Sequence, residues 1–305
     1  GYLVDHSSWP YIFYINIPLG IIATFLTITF VKSPKYGEKL KANQVDWWGI
    51  VFLASFIGSL QFVLEHGQQD DWFNNNLIVF LSCVSVFGLL AFIWRESTYK
   101  YPIVNLSVLK DSNLRIGTIM TFILGFGLYG STLIIPIYTQ SVLGWTATDA
   151  GLLLVPGSIT TAIMMPFIGK MIQKDVPQGY MVAAGFFVFF TFTFWMRNII
   201  TPDTGAEHMF WPLILRGVGL GLLFVPITTL SLSTLKGKNI GEGAAFTGMM
   251  RQLGGSFGIA IITTFIARFT QEHRVNLLPN IDITKTQVQD RIHQLQQGFM
   301  AKGFS

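Results

Sequence analysis

Eight runs of about twenty apolar residues follow one another along this chain, and they constrain its fold more than any other feature. They cover residues 10–31, 47–64, 76–94, 115–139, 150–171, 179–199, 209–233 and 244–267. About 20 such residues, wound as a helix, cross the hydrocarbon core of a bilayer. Lipid offers the backbone no hydrogen-bond partner, so only helices or closed barrels cross it. A barrel strand would alternate in character over ~10 residues, and "LIVFLSCVSVFGLLAFIW" at 77–94 does not. The expected fold is an all-α polytopic membrane protein with eight transmembrane helices. The chain is 12% charged, against roughly 25% in a soluble domain. Its net charge of +4 does not indicate a nucleic-acid binder, because the basic residues form no patch or stripe.

Those basic residues set the orientation instead. Lys32, Lys35, Lys39 and Lys41 fall in one loop, and Arg95, Lys100, Lys110 and Arg115 in the next but one. Lys170, Lys174, Lys236 and Lys238 follow on the same side. The alternate loops, 65–75, 140–149 and 200–208, hold none. The rich side is expected to be cytoplasmic. The tail beyond 267 then lies outside, although it carries Arg268, Arg274, Lys285, Arg291 and Lys302. Val288, Ile292, Leu295 and Phe299 recur there at helical spacing and predict a short amphipathic helix. The one cysteine, Cys83, cannot form an internal disulfide. With the first run starting outside and the tail ending outside, an odd number of spans is expected before Gly1 and another after Ser305.

Several segments resemble one family. "WPYIFYINIPLG" (9–20), with Trp9, Phe13, Asn16 and Pro18, resembles the start of the sixth span of drug:proton antiporters of the major facilitator superfamily, in the fourteen-span EmrB/QacA branch. "VLEHGQQDDWFNNN" (63–76), with Glu65, Gly67, Asp71 and Trp72, resembles the loop after its seventh span. "IPIYTQSVLGWTATDAGLLLVPG" (135–157) is similar to its ninth-to-tenth junction, and 215–235 and 249–261 to its twelfth and thirteenth spans. The resemblance implies five spans before this chain and one after it. It makes 1–31 the end of the N-terminal bundle, 32–46 a cytoplasmic loop and 47–94 two inserted linker helices. Residues 95–114 become a second cytoplasmic loop, 115–267 five helices of the C-terminal bundle, and 268–305 an extracytoplasmic loop. It further implies proton-coupled export of lipophilic, often cationic, toxic compounds from the bacterial cytoplasmic membrane by alternating access. No cofactor is expected beyond the proton gradient. The expected partners are the lipid bilayer, small lipophilic substrates, and a periplasmic adaptor with an outer-membrane channel. "PFIGKMIQK" (166–174) stands where the family repeats a charged loop motif, with Gln173 at a place where an acid is common. A narrow-substrate exporter of the same superfamily is the alternative function.

A proton relay needs a titratable group at membrane depth. None of the sixteen acids or five histidines lies well inside an apolar run. That also leaves no nucleophile–base pair or metal cluster there, so an enzyme is not expected. A coupling carboxylate is expected upstream of Gly1. Two arginines do lie within runs, Arg216 and Arg251. A charge near the bilayer centre costs at least ~2.5–3.5 kcal/mol on insertion scales, so each needs a reason. Arginine stays protonated and cannot carry the proton. It can gate, hold a counter-ion, or donate to substrate. Arg251 shares a helical face with Ala244, Gly248, Gly255 and Gly258, where another helix can approach closely. It either points into the bundle or snorkels to cytoplasmic water. Arg216 precedes Gly217, Gly219, Gly221 and Pro226, a run that suits close packing and a bend. Pro136, Pro156 and Pro166 are further expected interruptions. Gln140, Tyr138 and Phe126 are candidates to line an amphipathic path.

Overall fold

The computed structural model describes residues 2, 5, 8–31, 46–99 and 106–277, with 289, 290, 293 and 296 beyond. Among them are eight long apolar helices. They are α1 (Tyr11–Phe30), α2 (Trp47–His66), α3 (Asn76–Thr98), α4 (Ser112–Ser141), α5 (Ala147–Gln173), α6 (Gln178–Ile199), α7 (Ala206–Leu232) and α8 (Lys238–Leu277). No strand occurs among the described residues. Each of the eight apolar runs is thus one helix.

Local chemistry fixes where the helices start. Asp46 caps α2 by accepting the Gly49 N–H at 3.1 Å. Asn75 caps α3 through Leu77 N–H, and Asp111 caps α4 through Leu114 N–H. Thr146 and Asp149 form a reciprocal pair at the start of α5, with the Asp149 N–H 3.1 Å from Thr146 Oγ1. A short polar side chain just before an apolar run satisfies amides that would otherwise face a membrane surface unbonded. The prolines interrupt less than expected: Pro136, Pro156, Pro166, Pro212 and Pro226 all lie inside continuous helices. Neighbouring hydroxyls take up carbonyls around them, as when Thr160 donates to the Pro156 carbonyl at 2.8 Å. α8 is also longer than expected, at 40 residues against the run 244–267. After Gly258 its sequence has no proline or glycine before Pro279, so nothing stops the helix where the apolar run ends.

Two compact units divide the chain, Gly1–Ala260 and Ile261–Ser305. In the first, α7 is the central element. Half of its apolar window is buried, whereas that of α1 has no buried residue. Glycines bring its neighbours to backbone contact. A Cβ on Gly157 of α5 would stand 2.6 Å from the Leu213 carbonyl of α7. One on Gly219 of α7 would stand 3.2 Å from the Phe189 backbone nitrogen of α6. Ile135, Leu153, Phe192, Met209 and Leu213 close the core among α4, α5, α6 and α7. α2 and α3 form a hairpin on their own, with Gly88 against the Phe56 backbone and Ser85 Oγ donating to the Phe56 carbonyl. In the second unit, the described residues continue α8, where the Phe265 and Phe269 rings stack at 5.9 Å. Residues 289, 290, 293 and 296 are helical, but Val288, Ile292, Leu295 and Phe299, the expected apolar face, lie outside the described residues. So do 32–45 of the first basic loop.

Hydrogen bonds join helix ends in the alternation the loop charges require. Asp111 at the start of α4 accepts from Thr234 after α7 at 2.8 Å. Tyr138 near the end of α4 donates to the Thr201 carbonyl after α6. Asp46 before α2 and Arg95 near the end of α3 form an ion pair at 3.0 Å.

Candidate functional site

Arg216 is a buried charge within a membrane-spanning helix, with 5% of its surface exposed. It projects from α7 into α4. Its Nε donates to Ser131 Oγ at 2.9 Å, and Nη2 donates to Thr132 Oγ1 and, at 3.5 Å, to the Leu128 carbonyl. All three acceptors are neutral, and no carboxylate among the described residues pairs with it. Ser131 and Thr132 were not singled out by the sequence. The available signal was two adjacent hydroxyls in an otherwise apolar run.

Arg251 sits differently. It is half-buried, and its guanidinium lies over the Phe224 ring of α7 with Cζ 4.7 Å from the centroid. Around it, α8 packs on α4 at backbone distance. A Cβ on Gly125 of α4 would approach the Arg251 carbonyl carbon to 2.9 Å, and one on Gly254 would approach that of Phe122 to 2.8 Å. Gly255 faces the Tyr129 ring and Gly258 the Phe126 carbonyl, while Gly248 faces open space. The close-packed strip thus runs through Gly254, Gly255 and Gly258, displaced from the face drawn through Gly248. Gln252, next to Arg251, accepts from the Tyr129 hydroxyl at 3.2 Å.

Of the path candidates, Phe126 lines a cavity of about 190 Å³ with Ile123, Leu124, Gly127, Phe186, Phe189 and Leu223. Tyr138 is committed to Thr201, and Gln140 is exposed. Gly217 meets Thr160 Cβ, Gly221 meets Met164 Cβ, and Pro226 is fully buried. Two of the segments that carry the resemblance, 9–20 and 63–76, form turns and helix faces. Trp9 and Phe13 meet edge to face at 6.0 Å, and Asn16 donates to the Ile12 carbonyl. Pro18 lies on the exposed surface of α1. Glu65 accepts from Gln61, Trp72 Nε1 donates to Gln68, and Gly67 lies against the Trp72 ring. Asp71 and Trp72 adopt positive φ, 55° and 50°, in the left-handed region. A larger groove of about 680 Å³ opens between the starts of α5 and α7, lined by Trp145, Phe210 and Trp211 with Asp149 and Glu207.

Two carboxyls at the opposite ends are perturbed. Burial works to raise Asp46, but the hydrogen bond from Arg95, the Gly49 N–H and the Arg95 charge outweigh it, and its pKa lies below the ordinary value. The Leu114 N–H and the Thr234 hydroxyl hold Asp111 below its ordinary value as well. Both carboxylates tie helix ends together, the first within the hairpin and the second between α4 and α7.

Eight apolar helices, a glycine-packed bundle and a buried arginine do not name a family, but residues 1–259 match the Major Facilitator Superfamily as a family model. The chain belongs to that superfamily. It is 33% identical to the fatty acid resistance protein FarB of Neisseria gonorrhoeae, over 98% of this chain and 58% of FarB. It is 29% identical to the multidrug export protein EmrB of Escherichia coli strain K12, over 97% of this chain and 57% of that protein. The colistin resistance protein EmrB of Acinetobacter baumannii matches at 28% over 99% of this chain and 59% of its own length. This chain spans somewhat under three fifths of the length of these relatives. Superfamily membership and eight spans make it a multi-pass protein of the cytoplasmic membrane, embedded in the lipid bilayer.

Proposed function

We propose that the protein exports lipophilic compounds in exchange for protons, by alternating access. The observation that carries this reading is the match of nearly the whole chain to proteins named for multidrug export and for fatty acid and colistin resistance. The structure supports it physically. The two bundles of such a transporter rock as bodies, and here α4–α7 pack through glycine-lined backbone contacts that favour movement as one unit. The coupling ion is the proton and no organic cofactor takes part. A periplasmic adaptor with an outer-membrane channel is the partner assembly. The reaction is translocation, as the names of the export relatives suggest.

The test is expression of the gene encoding this chain in a strain stripped of its own efflux pumps. Raised tolerance to several chemically unrelated lipophilic compounds, lost when a protonophore is added to an accumulation assay, is the expected result. Unchanged accumulation with protein shown in the membrane would overturn the reading.

A further inference from the structure

We infer that the α4–α7 seam holds a binding site for single-chain amphipaths with an anionic head, whose head group is received by Arg216. Two independent features of that seam converge. The first is the guanidinium. It is buried, permanently charged, and among the described residues bonded to Ser131, Thr132 and the Leu128 carbonyl, all neutral. Hydroxyls satisfy its N–H groups without balancing its charge. A carboxylate would do both, since its two oxygens match the guanidinium fork. Thr132, which covers Nη2, is itself exposed, so one rotamer change opens the charge to a ligand.

The second feature is the cavity lined by Ile123, Phe126, Phe186, Phe189 and Leu223. Its position follows from the helix period. Leu223 lies two turns beyond Arg216 on the same face of α7, and Gly127 one turn before Ser131 on the same face of α4. The cavity therefore lies on the same faces of α4 and α7 as the charge, one to two turns nearer the other membrane face. Its lining is apolar, with three phenylalanines among the seven residues. At about 190 Å³ it is smaller than the ~300–1,000 Å³ of sites for drug-sized ligands, which suits one slender alkyl segment. Charge at one end and a narrow apolar slot at the other describe a fatty-acid-like monocarboxylate. A lipophilic cation has no counter-charge here and would meet Arg216 unfavourably.

This inference rests on the export reading for its physiological meaning only, so binding is the readout. Protein purified from the gene encoding this chain is placed in phosphatidylcholine nanodiscs and titrated with dodecanoate and dodecyltrimethylammonium, which share a tail and differ in head charge. Dodecanoate should bind at least tenfold more tightly. Arg216→Gln should weaken dodecanoate at least tenfold and leave the ammonium unchanged or more tightly bound, while Arg216→Lys keeps most of the preference. Gly127→Leu, which fills the slot against Phe189, should weaken both ligands. An Arg216→Gln change that affects both alike or neither, or undiminished binding to Gly127→Leu, overturns the site. So does Arg216-dependent displacement of dodecanoate by phosphatidylglycerol in the nanodisc, which would make the ligand a membrane lipid. Charge-selective binding by a protein that fails to export would sink the export reading and leave the site standing.

Discussion

The contact between α5 and α7 at Gly157 allows a direct test of how the bundle is held. A Cβ placed there would stand 2.6 Å from the Leu213 carbonyl oxygen and 3.3 Å from its carbon. Ordinary contact begins near 3.4 Å, so Gly157→Ala requires the two helices to part by about 0.8 Å. Backbone oxygen cannot turn aside as a flexible side chain does. Overpacking of this kind costs about 1–3 kcal/mol, opposed by about 1 kcal/mol of improved helix propensity. Gly151 and Gly169, in the same helix, have nothing within 4 Å of the place an alanine methyl would take, and so gain the propensity alone. The assay is SDS-induced unfolding in mixed micelles, followed by tryptophan fluorescence. Gly151→Ala and Gly169→Ala should hold or raise the unfolding midpoint, and Gly157→Ala should fall below both by the equivalent of about 1–3 kcal/mol. A Gly157→Ala midpoint equal to that of Gly169→Ala would refute the close approach.

Three further outcomes follow from the geometry. Single cysteines at Lys35 and Asp70 should label from opposite membrane faces, and same-face labelling would break the alternation of loops. Asp46→Asn should destabilise the α2–α3 hairpin at neutral pH. Because the folded pKa of Asp46 is depressed, its contribution is present above the ordinary value of 3.8 and lost as pH falls through the lower folded value. The gap between wild type and Asp46→Asn in unfolding midpoint should therefore close only below about pH 4; a gap that closes near neutrality would show that another group is responsible. Arg251 stacks on Phe224, and such a cation–π contact is worth about 0.5–2 kcal/mol. Arg251→Ala and Phe224→Ala should then be non-additive in a double-mutant cycle of unfolding midpoints, and strict additivity would place the guanidinium in water.

The helices were legible in the sequence because lipid demands ~20 apolar residues in a row and tolerates few charges among them. Their ends were less so. α8 continues to Leu277 because helix formation outlasts the apolar run until a breaker appears, and hydropathy does not report breakers. Arg216 and Arg251 could be found as charges out of place, but their partners could not. Ser131 and Thr132 lie some 85 residues from Arg216 in the chain, and which face of α4 meets α7 is decided by packing. The same reason displaced the α8 contact strip: Gly254 meets α4 because Gly125 makes room for the Arg251 carbonyl, a pairing that periodicity within α8 alone cannot supply. Family membership was legible through five separate segments, and only one of them, 215–235, contributes to the site around Arg216.

The central claim, proton-driven export, is tested most directly in everted membrane vesicles prepared from cells expressing the gene encoding this chain. With an imposed pH gradient, acid inside, a fluorescent lipophilic compound such as dansyl-labelled undecanoate or ethidium should accumulate in the vesicles beyond the level of vesicles lacking the protein. Collapse of the gradient should release it. Accumulation that is equal with and without the protein, or that survives loss of the gradient, would contradict the account.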